Sequence, residues 1–258
     1  MSTFLNASPI FGPVRSRRLG LSLGVNMMPA SGKICTFDCI YCENGFNGER
    51  PCHEPYNTAA VVHDALEAKL REMAAEGELP DVITFAGNGE PTAAPEFSQA
   101  IAGAVALRDE LAPNTKIAVL SNGTRADQPA VHDALMMVDD NILKLDTVDP
   151  AFIQLLDQPV GPYDVEHQIE TFASFGGHVI IQTIFLTGEY QGKSVDNTGE
   201  EYVGPWLAAL ERIRPQEATI YTVARETPAA GLAKAAPETL DAIAARVQAL
   251  GIPCQVSY

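Results

Sequence analysis

From residue 58 onward the period of the apolar positions changes repeatedly along the chain. Between Thr58 and Gly77, Val61, Val62, Ala65, Leu66, Leu70 and Met73 recur at helical spacing and predict an amphipathic helix. Residues 81–86, Asp-Val-Ile-Thr-Phe-Ala, form a short apolar run of the length of a buried strand. The alternation continues with a helix over 96–111, a strand over 116–120, a helix over 129–137 and a strand over 141–146. A helix around 165–175 and a strand over 178–185 follow. Residues 187–197 read as the longest irregular stretch. Thr198-Gly199-Glu200-Glu201 has the spacing of a capping box and opens a helix to about Arg212. Residues 218–223 read as strand, 237–250 as helix and 252–257 as a last strand.

With a strand near residues 19–26 the count is six β/α units in series. Such alternation requires parallel strands with helices outside them. Periodicity leaves two closures open, a doubly wound open sheet and a partial barrel. No linker or shift in composition marks a second domain. The whole of 1–258 therefore reads as one core, with 1–26 as an N-terminal segment and first strand and 27–55 as a long loop.

Composition narrows the class. The chain is 46% hydrophobic and 19% charged, and no apolar run approaches the roughly 20 residues of a membrane span. The first residues lack a basic region followed by an apolar stretch, so no secretory signal is expected. Net charge is −16, unevenly spread. Residues 1–53 hold five Lys/Arg against three acids, a balance of +2, whereas the remainder holds 12 against 30, a balance of −18. An acidic body repels phosphate backbones at long range, which lowers the odds of an extended nucleic-acid footprint.

Cysteine usage carries the chemistry. Three of the five cysteines, Cys35, Cys39 and Cys42, lie within eight residues, in Cys-Thr-Phe-Asp-Cys-Ile-Tyr-Cys. Three soft thiolates on one short loop suit an iron–sulfur cluster or a zinc ion rather than disulfides, and point to a reducing, cytoplasmic setting. A structural zinc requires a fourth ligand, and Cys52 or His53 is available; an electron-transfer cluster could also use Cys52. The zinc reading makes the protein a metal-stabilised binding module. Structural zinc sites usually use two Cys-x-x-Cys pairs, and only one such pair exists here. Cys52 and Cys254 otherwise read as small buried hydrophobes.

The spacing of three then two residues, with an aromatic residue before the last cysteine, resembles the signature of the radical S-adenosylmethionine (radical SAM) enzymes. That resemblance implies a partial (β/α)6 barrel. It also implies that Cys35, Cys39 and Cys42 hold three irons of a [4Fe–4S] cluster, with the fourth iron open to the methionine end of S-adenosylmethionine (SAM). Tyr41 occupies the position that contacts adenine in the superfamily. Gly87-Asn88-Gly89-Glu90-Pro91-Thr92, after the second strand, is similar to the family's Gly-Gly-Glu motif, which places Gly89 and Glu90 at the cofactor's amino group. Ser121 and Asn122, in a turn cluster after the third strand, suit a ribose or a carboxylate, or simply cap their own turn. Lys144 and Asp146, two apart on one strand, share a face and stand where related enzymes hold the cofactor. Gln182 and Arg225 are weaker candidates of the same kind.

The opening 11–26, with Arg15, Arg17 and Arg18, looks like that of a little-characterised subgroup related to the wyosine-forming tRNA-modifying enzymes. Those arginines suit a phosphate or carboxylate of the substrate, or a solvated edge. The resemblance implies reductive cleavage of SAM to a 5′-deoxyadenosyl radical that abstracts a hydrogen, in an oxidoreductase- or lyase-type reaction. It further implies an external one-electron donor of the flavodoxin or ferredoxin type. A small molecule or a peptide fits the compact acidic chain as substrate. A tRNA base fits the subgroup but not the charge, and a glycyl-radical enzyme is a further partner class. No membrane partner is expected.

Overall fold

Helices and strands follow one another along the computed structural model, which describes residues 3–16 and 19–258. Backbone packing divides them into two units. The first comprises Leu5–Cys35 and Arg50–Asn141. The second comprises Thr36–Glu49 and Ile142–Tyr258, together with residues 3 and 4.

In the first unit, β1 (Ile10–Ser16) pairs antiparallel with β2 (Gly20–Val25). Strand β2 pairs in parallel with β3 (Val82–Phe85), and β3 with β4 (Lys116–Ser121). All four residues of β3 are buried, as expected of a strand covered on both faces. Helix α1 (Ala59–Glu76) starts at Thr58, whose side chain accepts from the Val61 N–H, and stops at Gly77 in the left-handed region. It buries Val62, Leu66, Leu70 and Met73. Helices α2 (Phe97–Leu111) and α3 (Pro129–Met136) complete the unit. Phe85 and Phe97 meet edge to face, their ring centres 6.3 Å apart. A hydroxyl pair, Ser22 Oγ to Thr84 Oγ1 at 2.8 Å, ties β2 to β3.

Strand β5 (Asp140–Lys144) carries the chain into the second unit. Helices α4 (Pro150–Leu156) and α5 (Val165–Ser174) follow, then β6 (Ile180–Ile184), which pairs in parallel with β5. Next come β7 (Leu186–Tyr190), β8 (Lys193–Ser194) and α6 (Glu200–Ile213). The chain ends with β9 (Glu217–Tyr221), β10 (Leu232–Lys234), α7 (Pro237–Ala249) and β11 (Cys254–Ser257). Strand β9 pairs in parallel with both β6 and β11, while β7, β8 and β10 form a separate antiparallel sheet. Trp206 of α6 is buried; its indole N–H reaches the Leu145 carbonyl at 3.0 Å and its ring packs edge-on against Phe185.

Several expectations are corrected. Residues 187–197 are irregular only at 195–197; before that, Gln191 (φ 52°) and Gly192 (φ 73°) form a two-residue turn that folds β7 back on β8. The capping box does not form. The Thr198 hydroxyl donates to Asp196 Oδ1 at 2.6 Å, and Gly199 becomes the residue preceding α6, with no side-chain cap. Helix α4 was not expected. Asp149 caps it by accepting from the Phe152 N–H at 2.7 Å, and Pro150 occupies its first turn. Strand β1 is an addition before the first expected strand. Strand β5 ends at Lys144, so Asp146 lies beyond it.

Candidate functional site

The cysteine loop is held separately in each unit, since the division falls between Cys35 and Thr36. On the Cys35 side the preceding residue, Ile34, bridges to Gly89. The Ile34 N–H donates to the Asn88 carbonyl at 3.0 Å, and the Glu90 N–H donates to the Ile34 carbonyl at 3.0 Å. Only glycine permits this approach. A Cβ on Gly89 would stand 1.8 Å from the Ile34 oxygen, and the residue's φ is +141°. Asn88 is fully buried. Its amide donates to the carbonyls of Asn6 and Pro29 at 3.0 and 3.1 Å, and its oxygen accepts the Asn6 N–H at 2.7 Å. Asn26 accepts the backbone N–H of both Met28 and Asn88. These amides fix the backbone before Cys35.

Glu90, only 2% exposed, receives four donors. Oε1 accepts from the Thr92 N–H (3.0 Å), the Thr92 hydroxyl (2.6 Å) and the Ser121 hydroxyl (2.7 Å), and Oε2 accepts the Asn122 N–H (2.7 Å). Burial raises its pKa, and the hydrogen bonds from Ser121, Thr92 and Asn122 oppose that rise. The carboxylate therefore gathers the end of β4 against the turn after β3. Asn122 turns its own amide to Cys35, with Nδ2 3.8 Å from Sγ.

On the Cys39 side the loop is pinned to the end of α4. The Asp38 and Ile40 N–H groups donate to the carbonyls of Asp157 and Leu156 at 3.0 Å, and Phe37 bridges to Pro159. Ile40 enters an apolar cluster with Phe152, Leu156 and Ile184. The Cys42 N–H closes a turn on the Cys39 carbonyl at 3.1 Å. Above this backbone lies a charged cluster. Lys144 Nζ is 3.1 Å from Cys39 Sγ and 3.0 Å from Asp146 Oδ2, and it also bonds Asp157 Oδ1. The Tyr41 hydroxyl donates to Asp146 Oδ2, and Asp146 Oδ1 accepts the Ile184 N–H at 3.0 Å.

Charges shape this cluster. Burial alone would lower the Lys144 ammonium, but Asp146, Asp157 and Cys39 outweigh it and hold it well above the ordinary lysine range. Burial raises Asp157 to about 7, with Lys144 opposing. Burial, then Asp146, pushes the Tyr41 phenol up.

Lys144, Asp146 and Tyr41, singled out from sequence, thus meet. Gln182 stands beside Lys144 as its register partner on β6. Arg225 is exposed, bonds Glu43 Oε2 at 2.6 Å and lies over the Phe4 ring. Arg15 is 84% exposed, with Glu78 at 3.8 Å; Arg17 and Arg18 lie outside the described residues. Asp157 was missed, although the Asp149-Pro150 start signal would have announced α4 and placed Asp157 at its end. Among the described residues, no three His, Cys, Asp or Glu side chains gather at metal-binding distances. None of the five cysteines is in a disulfide.

The Radical SAM superfamily model matches residues 31–191, well over half of the chain. This chain belongs to the radical SAM superfamily. A UPF0026 protein of Synechocystis sp. is 31% identical over 227 residues, covering 85% of this chain and 77% of that one. The crystal structure of a radical SAM methyltransferase from Sphaerobacter thermophilus superposes with TM-score 0.66 at 17% identity, over 92% of this chain and 66% of that chain. Streptococcus suis SuiB bound to S-adenosylmethionine gives TM-score 0.63 at 14% identity, over 91% of this chain and 49% of that chain. The chain thus spans between about half and three quarters of the length of these proteins. The fold is the α/β partial barrel of radical SAM proteins, which decides between the two closures left open by periodicity. The family implies a [4Fe–4S] cluster and SAM. The donor set fits the cluster: thiols outside any disulfide on one loop, two of them facing N–H donors.

Proposed function

We propose that this protein is a radical SAM enzyme in which Cys35, Cys39 and Cys42 hold the [4Fe–4S] cluster and leave one iron to SAM. Bound there, the cluster would pass one electron, taken from an external donor, to the sulfonium of SAM, the chemistry that cleaves its carbon–sulfur bond and abstracts hydrogen from a substrate. The observation that carries the reading is the pair of N–H donors aimed at loop sulfurs, the Asn122 amide at Cys35 and the Lys144 ammonium at Cys39. Cluster-bound thiolates accept such hydrogen bonds.

The chain's own residues hold and orient. Gly89 admits the loop backbone. Glu90 holds Ser121 and Asn122 in place and, through the strand end it organises, shapes the cofactor's surroundings. Tyr41 and Asp146, bonded to each other, offer a ring face and a carboxylate for the adenosyl part. Gln182 lies within reach of the same region, and Arg225 acts from the rim through Glu43.

The substrate is a small molecule or a peptide rather than a tRNA, because the balance of −18 over residues 54–258 disfavours a phosphate backbone. SuiB, whose fold this chain shares, has been seen with its precursor peptide. The electron comes from an external flavodoxin- or ferredoxin-type donor. A reducing compartment, the cytoplasm, suits cysteines that form no disulfide; among the described residues no helix is long and apolar enough to cross a membrane.

Oxygen-free reconstitution tests this directly. We expect a brown protein with about four irons and four sulfides per chain, and a reduced cluster whose electron paramagnetic resonance spectrum changes on adding SAM. A colourless, iron-free chain, or one that retains only zinc, overturns the reading.

A further inference from the structure

Lys144 is anchored more firmly than a cofactor contact alone requires. Two carboxylates grip its ammonium, Asp146 and Asp157, and the side chains of the three are 13%, 0% and 5% exposed. The ring centres of Phe37 and Tyr41 lie 5.0 and 4.9 Å from Nζ. Both carboxylates are themselves fixed, Asp146 by the Tyr41 hydroxyl and the Ile184 N–H, and Asp157 by its place at the end of α4. Held in this way, Nζ stands 3.1 Å from Cys39 Sγ. Cys35 receives the neutral Asn122 amide, at 3.8 Å.

A positive charge at a ligand sulfur, poorly screened because water is excluded, stabilises the electron-richer state of an iron–sulfur centre. We propose that Lys144 is an outer-sphere donor to Cys39 that makes the cluster easier to reduce, with Asp146 and Asp157 as the positioning residues that aim it. This rests on the reading that the loop holds a cluster. It assigns Lys144 a role in setting the potential, in addition to any contact with SAM. Removing the ammonium removes both the N–H···S contact and a positive charge 3.1 Å from the sulfur, so reduction becomes harder.

The test is a redox titration of the reconstituted full chain, followed by electron paramagnetic resonance, with iron and sulfide measured on the same samples. Lys144→Met should make reduction about tenfold less favourable, ~59 mV more negative for one electron, at unchanged iron and sulfide. Lys144→Arg, which keeps the charge, should shift less than half as far. Lys144→Met strands two buried carboxylates and is prone to misfolding, so Lys144→Met/Asp157→Asn serves as its partner and should also titrate below the wild type. Asn122→Leu should shift the potential by less than Lys144→Met. Fully loaded Lys144 variants with the wild-type potential, or a larger shift from Asn122→Leu, overturn the inference alone. A wild type that takes up no iron or sulfide overturns the cluster reading and this inference with it.

Discussion

The two units grip the same cysteine loop by different chemistry. Before Cys35 the grip is neutral and acts on the backbone: Asn26 and Asn88 bond main-chain groups, and Gly89 lets two backbones touch. Beyond Cys39 the backbone is pinned too, but the side chains above it are ionic, with Lys144 between Asp146 and Asp157. Glu90 is the instructive intermediate. It is a buried acid saturated by four hydrogen bonds. An acid so occupied organises its neighbours. The difference teaches that one side of the loop is built for a fixed position and the other for a fixed charge.

Substitutions can break that contrast, and the largest effect belongs to the charged side. Lys144→Met should cost about 4 kcal/mol, since it leaves buried carboxylates without their cation. Urea unfolding followed by the emission of Trp206, the single tryptophan, which is bonded to the Leu145 carbonyl nearby, measures it. Gly89→Ala should cost about 3 kcal/mol, because the new methyl meets the Ile34 oxygen and the backbone must move. Its hydrogen-exchange protection should fall at 33–35 and 88–92 and persist at 144–157. Equal loss in both segments would erase the distinction between the two grips. Glu90→Gln should cost about 2 kcal/mol, because its amide cannot accept from all four donors, and should loosen 121–124 first. Arg225→Ala, which breaks an exposed pair with Glu43, should change stability by less than about 1 kcal/mol.

Much of this was readable in the sequence, and the exceptions have physical reasons. The six β/α units follow from long periodic segments, and α1 even shows its cap residues, Thr58 and Gly77. Helix α4 escaped because seven residues give too little period, although Asp149 and Pro150 mark its start. The β7–β8 hairpin escaped because its turn is Gln191-Gly192 where Asn-Gly is the familiar signal. Thr198 misled because Asp196 competes for its hydroxyl. In the site, the cysteine spacing was legible because it lies along the chain; Lys144 and Asp146 do meet, but not as strand neighbours, since β5 ends at Lys144. The partners of Glu90 and the place of Asp157 were not legible, because only the fold brings Ser121, Asn122 and the end of α4 to them.

The most direct test of the central claim is anaerobic incubation of the reduced, reconstituted chain with SAM, counting 5′-deoxyadenosine and methionine. The account predicts both products from the wild type in equal amounts, and neither from Cys35→Ala/Cys39→Ala/Cys42→Ala. Cleavage that persists in the triple variant, or a fully loaded wild type that leaves SAM intact, would contradict it.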